Sequence, residues 1–107
     1  MRIYIAGKIT GELDYKEKFK KAEDKLKEMG HIVVNPTMLP DGLGAHRDYM
    51  DICITMLGKC DAIYLLKGYE GSPGAMQEAI HAYEHNKRIF YEEKALQDGN
   101  PNKANNK

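Results

Sequence analysis

The chain has 107 residues, of which 16 are basic and 16 acidic, for a formal net charge of zero, and it contains two cysteines. That length supports one domain around a single core and is too short for two. The charge balance gives no field that would draw in a nucleic acid backbone or an anionic membrane, and no apolar stretch reaches the length of a membrane span or signal h-region. Neither a nucleic acid polymer nor a membrane is therefore expected as a partner.

Arg2 to Ala6 (RIYIA) reads as a strand that ends at Gly7 in the loop GKITGE, where Gly7 and Gly11 allow backbone geometries closed to other residues. From Asp14 the period changes: Tyr15, Phe19, Ala22, Leu26 and Met29 recur at three and four, predicting an amphipathic helix stopped by Gly30. Its alternating lysines and glutamates fit a solvated outer face. His31 to Val34 is a second strand, closed by Asn35-Pro36, and a Pro- and Gly-rich loop runs on to about Ala45. Such a length inside an α/β unit implies a binding lid or slack.

His46 to Lys59 is a second helix, with Tyr49, Met50, Cys53, Met56, Leu57 and Cys60 as its apolar stripe. Cys53 and Cys60 form no CxxC pair, and two reduced, buried thiols in a cytoplasmic protein are expected. Ala62 to Leu66 is a short, continuous apolar run, the pattern of a strand covered on both faces of a parallel sheet. Gly71, Ser72, Pro73 and Gly74 then turn the chain into a third helix with Met76, Ala79, Ile80 and Tyr83 on one side. Arg88 to Tyr91 is the last strand, so the domain spans residues 1–92, and the polar stretch 93–107 is expected to be a disordered or loosely packed tail.

The alternation βαβαβαβ implies an α/β, three-layer, flavodoxin- or Rossmann-like fold: a four-stranded parallel sheet in order 2-1-3-4. The first and third strands are then neighbours. Gly7 to Gly11 and Glu70 to Gly74 face each other across one crevice at the carboxyl ends of the strands, where open α/β sheets take ligands. Thr10 and Ser72 can hold a phosphate there with backbone N–H groups, or simply cap helices. GKITG is neither a dinucleotide fingerprint nor a Walker A loop, and no cofactor is expected. Glu78, near the helix N-terminus, is expected to stay ionised at neutral pH and to serve as nucleophile or charge stabiliser, unless it is a surface glutamate. Tyr4 alternates with Ile3 and Ile5 and can turn its hydroxyl to the crevice. Tyr69 can stack on a base. His81 and His85 have metal-ligand spacing but lie past the crevice without a third ligand, so no metal is expected. His46 borders the long loop within reach of a ligand.

IYIAGKITG, HIVVNP, YM and CDAIYLLKGYEGSPGAMQE together resemble the nucleoside 2-deoxyribosyltransferase-like superfamily, in particular its short, mostly uncharacterised phage and bacterial branch, over residues 2–91. The resemblance implies a flavodoxin-like, often dimeric fold and cleavage of the N-glycosidic bond of deoxynucleosides or their 5′-monophosphates. It makes Glu78 the nucleophile, Tyr4 its orienting partner and Ser72 the 5′-phosphate ligand. Gly7 with its loop falls on the sugar-phosphate side, and Gly74 matches a loop glycine. One position departs: the superfamily aspartate that helps protonate the departing base falls on Cys53, so either water or, after a local rearrangement, Asp48 protonates the base, or turnover is slow or absent. The chain also ends before the extension that completes the transferase base pocket.

The leading expectation is hydrolysis or transfer at the N-glycosidic bond of a nucleoside or (2′-deoxy)nucleoside 5′-monophosphate through Glu78, with hydrolysis favoured by Ser72. The alternative is a non-catalytic nucleotide-binding module, a sensor or phage accessory protein, which Cys53 favours. The apolar excess of the second and third helices predicts a homodimer or a dimer of dimers.

Overall fold

The computed structural model describes residues 1–93, so the expected tail lies, Glu93 apart, outside the described residues. Four strands form one parallel sheet: β1 (Arg2–Ala6), β2 (Ile32–Val34), β3 (Ala62–Leu65) and β4 (Arg88–Tyr91), in the order β2-β1-β3-β4. Tyr4 pairs with Val34 on one side and Ile63 on the other, which puts it at the sheet's centre. Leu66 continues the β3 pairing by donating its N–H to the Ala6 carbonyl at 2.9 Å. The order and the parallel direction are those read from the alternation of strand and helix patterns.

Period-two alternation along β1 divides the core between the two faces. Ile3 and Ile5 pack with Phe19, Ala22 and Leu26 of helix α1 (Tyr15–Glu28), whereas Tyr4 and Ala6 pack with α2 (His46–Gly58) and α3 (Pro73–Glu84). The charged face of α1 carries Lys20–Asp24 and Glu23–Lys27 pairs one turn apart, worth a few tenths of a kcal/mol each.

Of the α3 stripe read from the sequence, only Ala79 packs toward the core. Met76, Ile80 and Tyr83 are 37%, 52% and 75% exposed, and the side turned to the sheet carries Gly74, Ala75, Glu78 and Ala82. Three of the four buried positions there are Gly or Ala, which lets α3 pack closely on the sheet and α2, and Glu78 is the long side chain the inner face accommodates. The larger apolar residues lie on the outward side of the helix.

Candidate active site

The carboxyl ends of β1 and β3 open into two short loops that meet. The side chain of Lys8 lies over Gly71, where an added Cβ would stand 3.8 Å from its Nζ. Gly7 is needed at the junction because an added Cβ would come 2.8 Å from Leu66 Cδ1, closer than packed carbons tolerate. After β3, Gly68 takes a left-handed φ of 87° and starts a single 3-10 turn, Tyr69–Gly71, that the sequence patterns do not reveal. Ser72 then caps α3, its Oγ accepting the Ala75 N–H at 3.1 Å. Capping uses only the acceptor side of the hydroxyl, so its O–H remains a donor for an anion.

Beneath these loops Tyr4 Oη donates a 2.6 Å hydrogen bond to Glu78 Oε2, with both side chains buried. The Cys53 thiol of α2 packs in the same buried cluster as Tyr4. Burial pushes the Glu78 carboxyl up to about 7 against the opposing hydrogen bonds from Tyr4 and Cys53. The sequence-based expectation of a carboxylate ionised by the helix N-terminus is therefore corrected: desolvation outweighs the dipole at a side chain only 6% exposed. Burial, and then the Glu78 charge, raise the Tyr4 phenol far beyond its ordinary range, so it stays a donor throughout neutral pH. Burial also raises the Cys53 thiol, partly opposed by its hydrogen bond with Tyr4.

A cavity of about 310 Å³ opens above this trio. That volume is at the small end of ligand pockets, which run from about 300 to 1,000 Å³. Of the residues singled out in the sequence, Tyr4, Gly7, Thr10, Ser72, Gly74 and Glu78 line it, and His46 joins them at the start of α2. Gly11 and Tyr69 do not. Gly11 is an exposed turn residue with φ 83°, and the Tyr69 ring packs on Tyr91 at 6.1 Å beside a separate depression. Asp48 is likewise elsewhere, its Oδ2 accepting the Ala45 N–H at 2.9 Å to cap α2. His81 and His85 stack on each other at 3.9 Å away from the cavity, and no cluster among the described residues has the makings of a metal site.

The far wall is supplied by residues that sequence reasoning treated as core or as loop. Tyr15 and Phe19 come from α1, and Pro36, Thr37, Leu39 and Asp41 from the long β2–α2 connection. Tyr49 holds that connection down, donating to the Pro40 carbonyl at 2.8 Å and accepting from the Leu43 N–H at 3.0 Å. Gly42 and Gly44 bend the intervening chain at φ 85° and 145°, conformations that a side chain would strain. The available signal was a Pro- and Gly-rich loop too long for a simple crossover. It allowed a lid or slack without saying which of its residues look inward.

A model of a domain family described as "Domain of unknown function (DUF4406)" matches residues 1–91. The chain belongs to that family. No curated protein matches it. Among solved structures it is similar to a 2-deoxyribosyltransferase of Bacillus psychrosaccharolyticus, with a TM-score of 0.68 and 22% identity over 85% of this chain and 71% of that one. It is also similar to a CMP N-glycosidase of Clostridium botulinum, with a TM-score of 0.64 and 20% identity over 85% of this chain and 70% of the other. A 2-deoxyribosyltransferase of Leishmania mexicana superposes with a TM-score of 0.66 at 22% identity, over 84% of this chain and 62% of its own length. This member of the DUF4406 family thus has the fold of the nucleoside 2-deoxyribosyltransferase-like superfamily, as its motifs led us to expect.

Proposed function

We propose that this DUF4406 protein cleaves the N-glycosidic bond of a nucleoside or (2′-deoxy)nucleoside 5′-monophosphate, with Glu78 as nucleophile. The observation that carries the reading is the buried Tyr4–Glu78 hydrogen bond at the floor of a cavity rimmed by two anion-compatible loops. Tyr4 fixes one carboxylate oxygen, leaving the other free to attack C1′. The base departs from the opposite face, and the glycosyl ester on Glu78 is released by water or a second base with net retention of configuration. Ser72 and the first turn of α3 receive the 5′-phosphate, and Thr10 and Gly7 border the sugar. Hydrolysis is favoured over transfer because the resemblance makes the hydroxyl of Ser72 a 5′-phosphate ligand. The fold shared with a 2-deoxyribosyltransferase and a CMP N-glycosidase supports the same bond as target.

The working unit we propose is a homodimer, or a dimer of dimers, that covers the outward stripe of α3. Two buried free thiols fit a reducing, cytoplasmic setting.

Acid-quenched intact-protein mass spectrometry tests the covalent step. Incubation with a deoxynucleoside monophosphate should add one deoxyribosyl phosphate to the wild-type chain and none to Glu78→Ala. Tight nucleotide binding with neither adduct nor base release would point instead to a binding module.

A further inference from the structure

Sheet order separates the two sides of the cavity. β2 and β3 flank β1 on opposite sides, so Ser72 and Glu78, carried on the β3 side, face a wall built by α1 and the β2–α2 connection. A base leaving C1′ on the side away from Glu78 lies against that wall. Tyr15, Phe19, Pro36 and Leu39 give the wall ring and aliphatic surface. The Tyr15 ring stands edge-to-face with Phe19, centroids 6.5 Å apart at 87°, and the buried Phe19 braces it there.

The hydrogen-bonding groups of the same wall are engaged within the protein. The Thr37 N–H and O–H both go to Asn35 Oδ1, at 2.9 and 2.7 Å. That orientation of the amide is forced, because Asn35 Nδ2 donates at 3.0 Å to a carboxylate, Glu23, which Lys27 and then Asn35 hold below its ordinary range. Thr37 is left with no proton for a base. The Tyr49 hydroxyl is likewise occupied, donating to Pro40 and accepting from Leu43. Asp41 is exposed, and a hydrogen bond from a base to it replaces one from water for little net gain.

A pocket separates close analogues strongly only where its polar groups would be left buried and unpaired by the wrong one, and apolar surface separates them weakly. Stacking tolerates every base, since each has a π-face. Resting on the glycosidase reading, we propose that the base subsite holds its ligand by the ring faces and not by the edge. The protein then selects a sugar phosphate and is indifferent to exchange of amino and oxo groups on the base. Cytosine and uracil nucleotides are equivalent ligands, and so are those of adenine and hypoxanthine.

Binding tests this apart from the chemistry, because the rate of C1′–N cleavage also depends on how readily each base departs. Calorimetry on full-length Glu78→Gln would compare dCMP with dUMP, and dAMP with dIMP. Within each pair the Kd values should agree to about tenfold. In the same background Tyr15→Leu should weaken binding of all ligands in parallel by about tenfold, and Tyr15→Phe, which keeps the ring, by less. A gap above about tenfold within either pair would overturn the proposal, and its loss in Asp41→Asn would name the residue that reads the edge. Unweakened binding by Tyr15→Leu would overturn it as well. Even binding within the pairs by Glu78→Gln, with no base released by the wild type, would overturn the glycosidase reading and leave the subsite standing. No binding of any of the four would overturn both.

Discussion

Tyr4 and Glu78 are 74 residues apart in the chain, and their side-chain oxygens meet at 2.6 Å inside the protein. One comes from the middle of the central strand and the other from the second turn of α3, so the contact exists only when sheet order and crossover are both correct. The phenol cannot lose its proton at ordinary pH, and the carboxyl titrates near neutrality.

That pairing dictates an opposed dependence of activity and stability on pH. The nucleophile must be ionised, so kcat/KM should rise with pH along a limb centred near the Glu78 value of about 7. Stability runs the other way. The folded-state pKa lies above the unfolded value of 4.5, so the folded chain binds the proton more tightly. The Glu78 contribution is then fully present below about 4.5 and lost as pH rises through about 7. Glu78→Gln keeps an acceptor for Tyr4 and should be more stable than wild type above pH 7 by about 1–3 kcal/mol, with the gap closing at pH 5. Urea denaturation at the two pH values measures it.

Tyr4→Phe removes a hydrogen bond that holds the Glu78 carboxyl down. The acid limb of the rate profile should move to higher pH. Activity at neutral pH should fall roughly ten- to hundredfold, because a hydrogen bond to a charged group is worth about 1.5–3 kcal/mol. An unchanged profile would mean that Tyr4 is packing alone.

Ser72→Ala separates two duties of one hydroxyl. Loss of the cap should cost about 1 kcal/mol in stability. If the same O–H also reaches a phosphate, the variant should lose its preference for monophosphates over nucleosides by about tenfold or more. Paired kcat/KM measurements on both substrates distinguish the cases.

Ile80→Glu should leave the fold intact, since Ile80 is half exposed and outside the core. It places a charge on the apolar stripe with Met76 and Tyr83, and the proposed dimer should dissociate to monomer. Sedimentation equilibrium at micromolar concentration reads the change.

The sequence disclosed the fold because its strands and helices differ in period, and the crossover rule then leaves few topologies. It disclosed Tyr4 through simple alternation with Ile3 and Ile5. It misled about α3, where the large apolar residues point outward and a glutamate is buried, because periodicity locates a stripe but not which stripe faces the sheet. The error in the charge state of Glu78 has the same root, since its burial depends on β1 and α2 rather than on its own helix. Asp41 and Tyr49 were not legible as parts of the cavity wall, because an irregular loop has no period to betray its inner side. Tyr69 sits in the right loop, but the 3-10 turn after Gly68 directs its ring to Tyr91.

The central claim is that Glu78 attacks a glycosidic carbon, and chromatography of free base is its most direct test. Each of the four deoxynucleoside 5′-monophosphates would be incubated with the wild-type chain and with Glu78→Ala, whose alanine is a good helix former and should preserve the fold. Release of base from at least one monophosphate by the wild type, and none by the variant, is the predicted result. No release from any of the four, or equal release by the variant, would contradict the account.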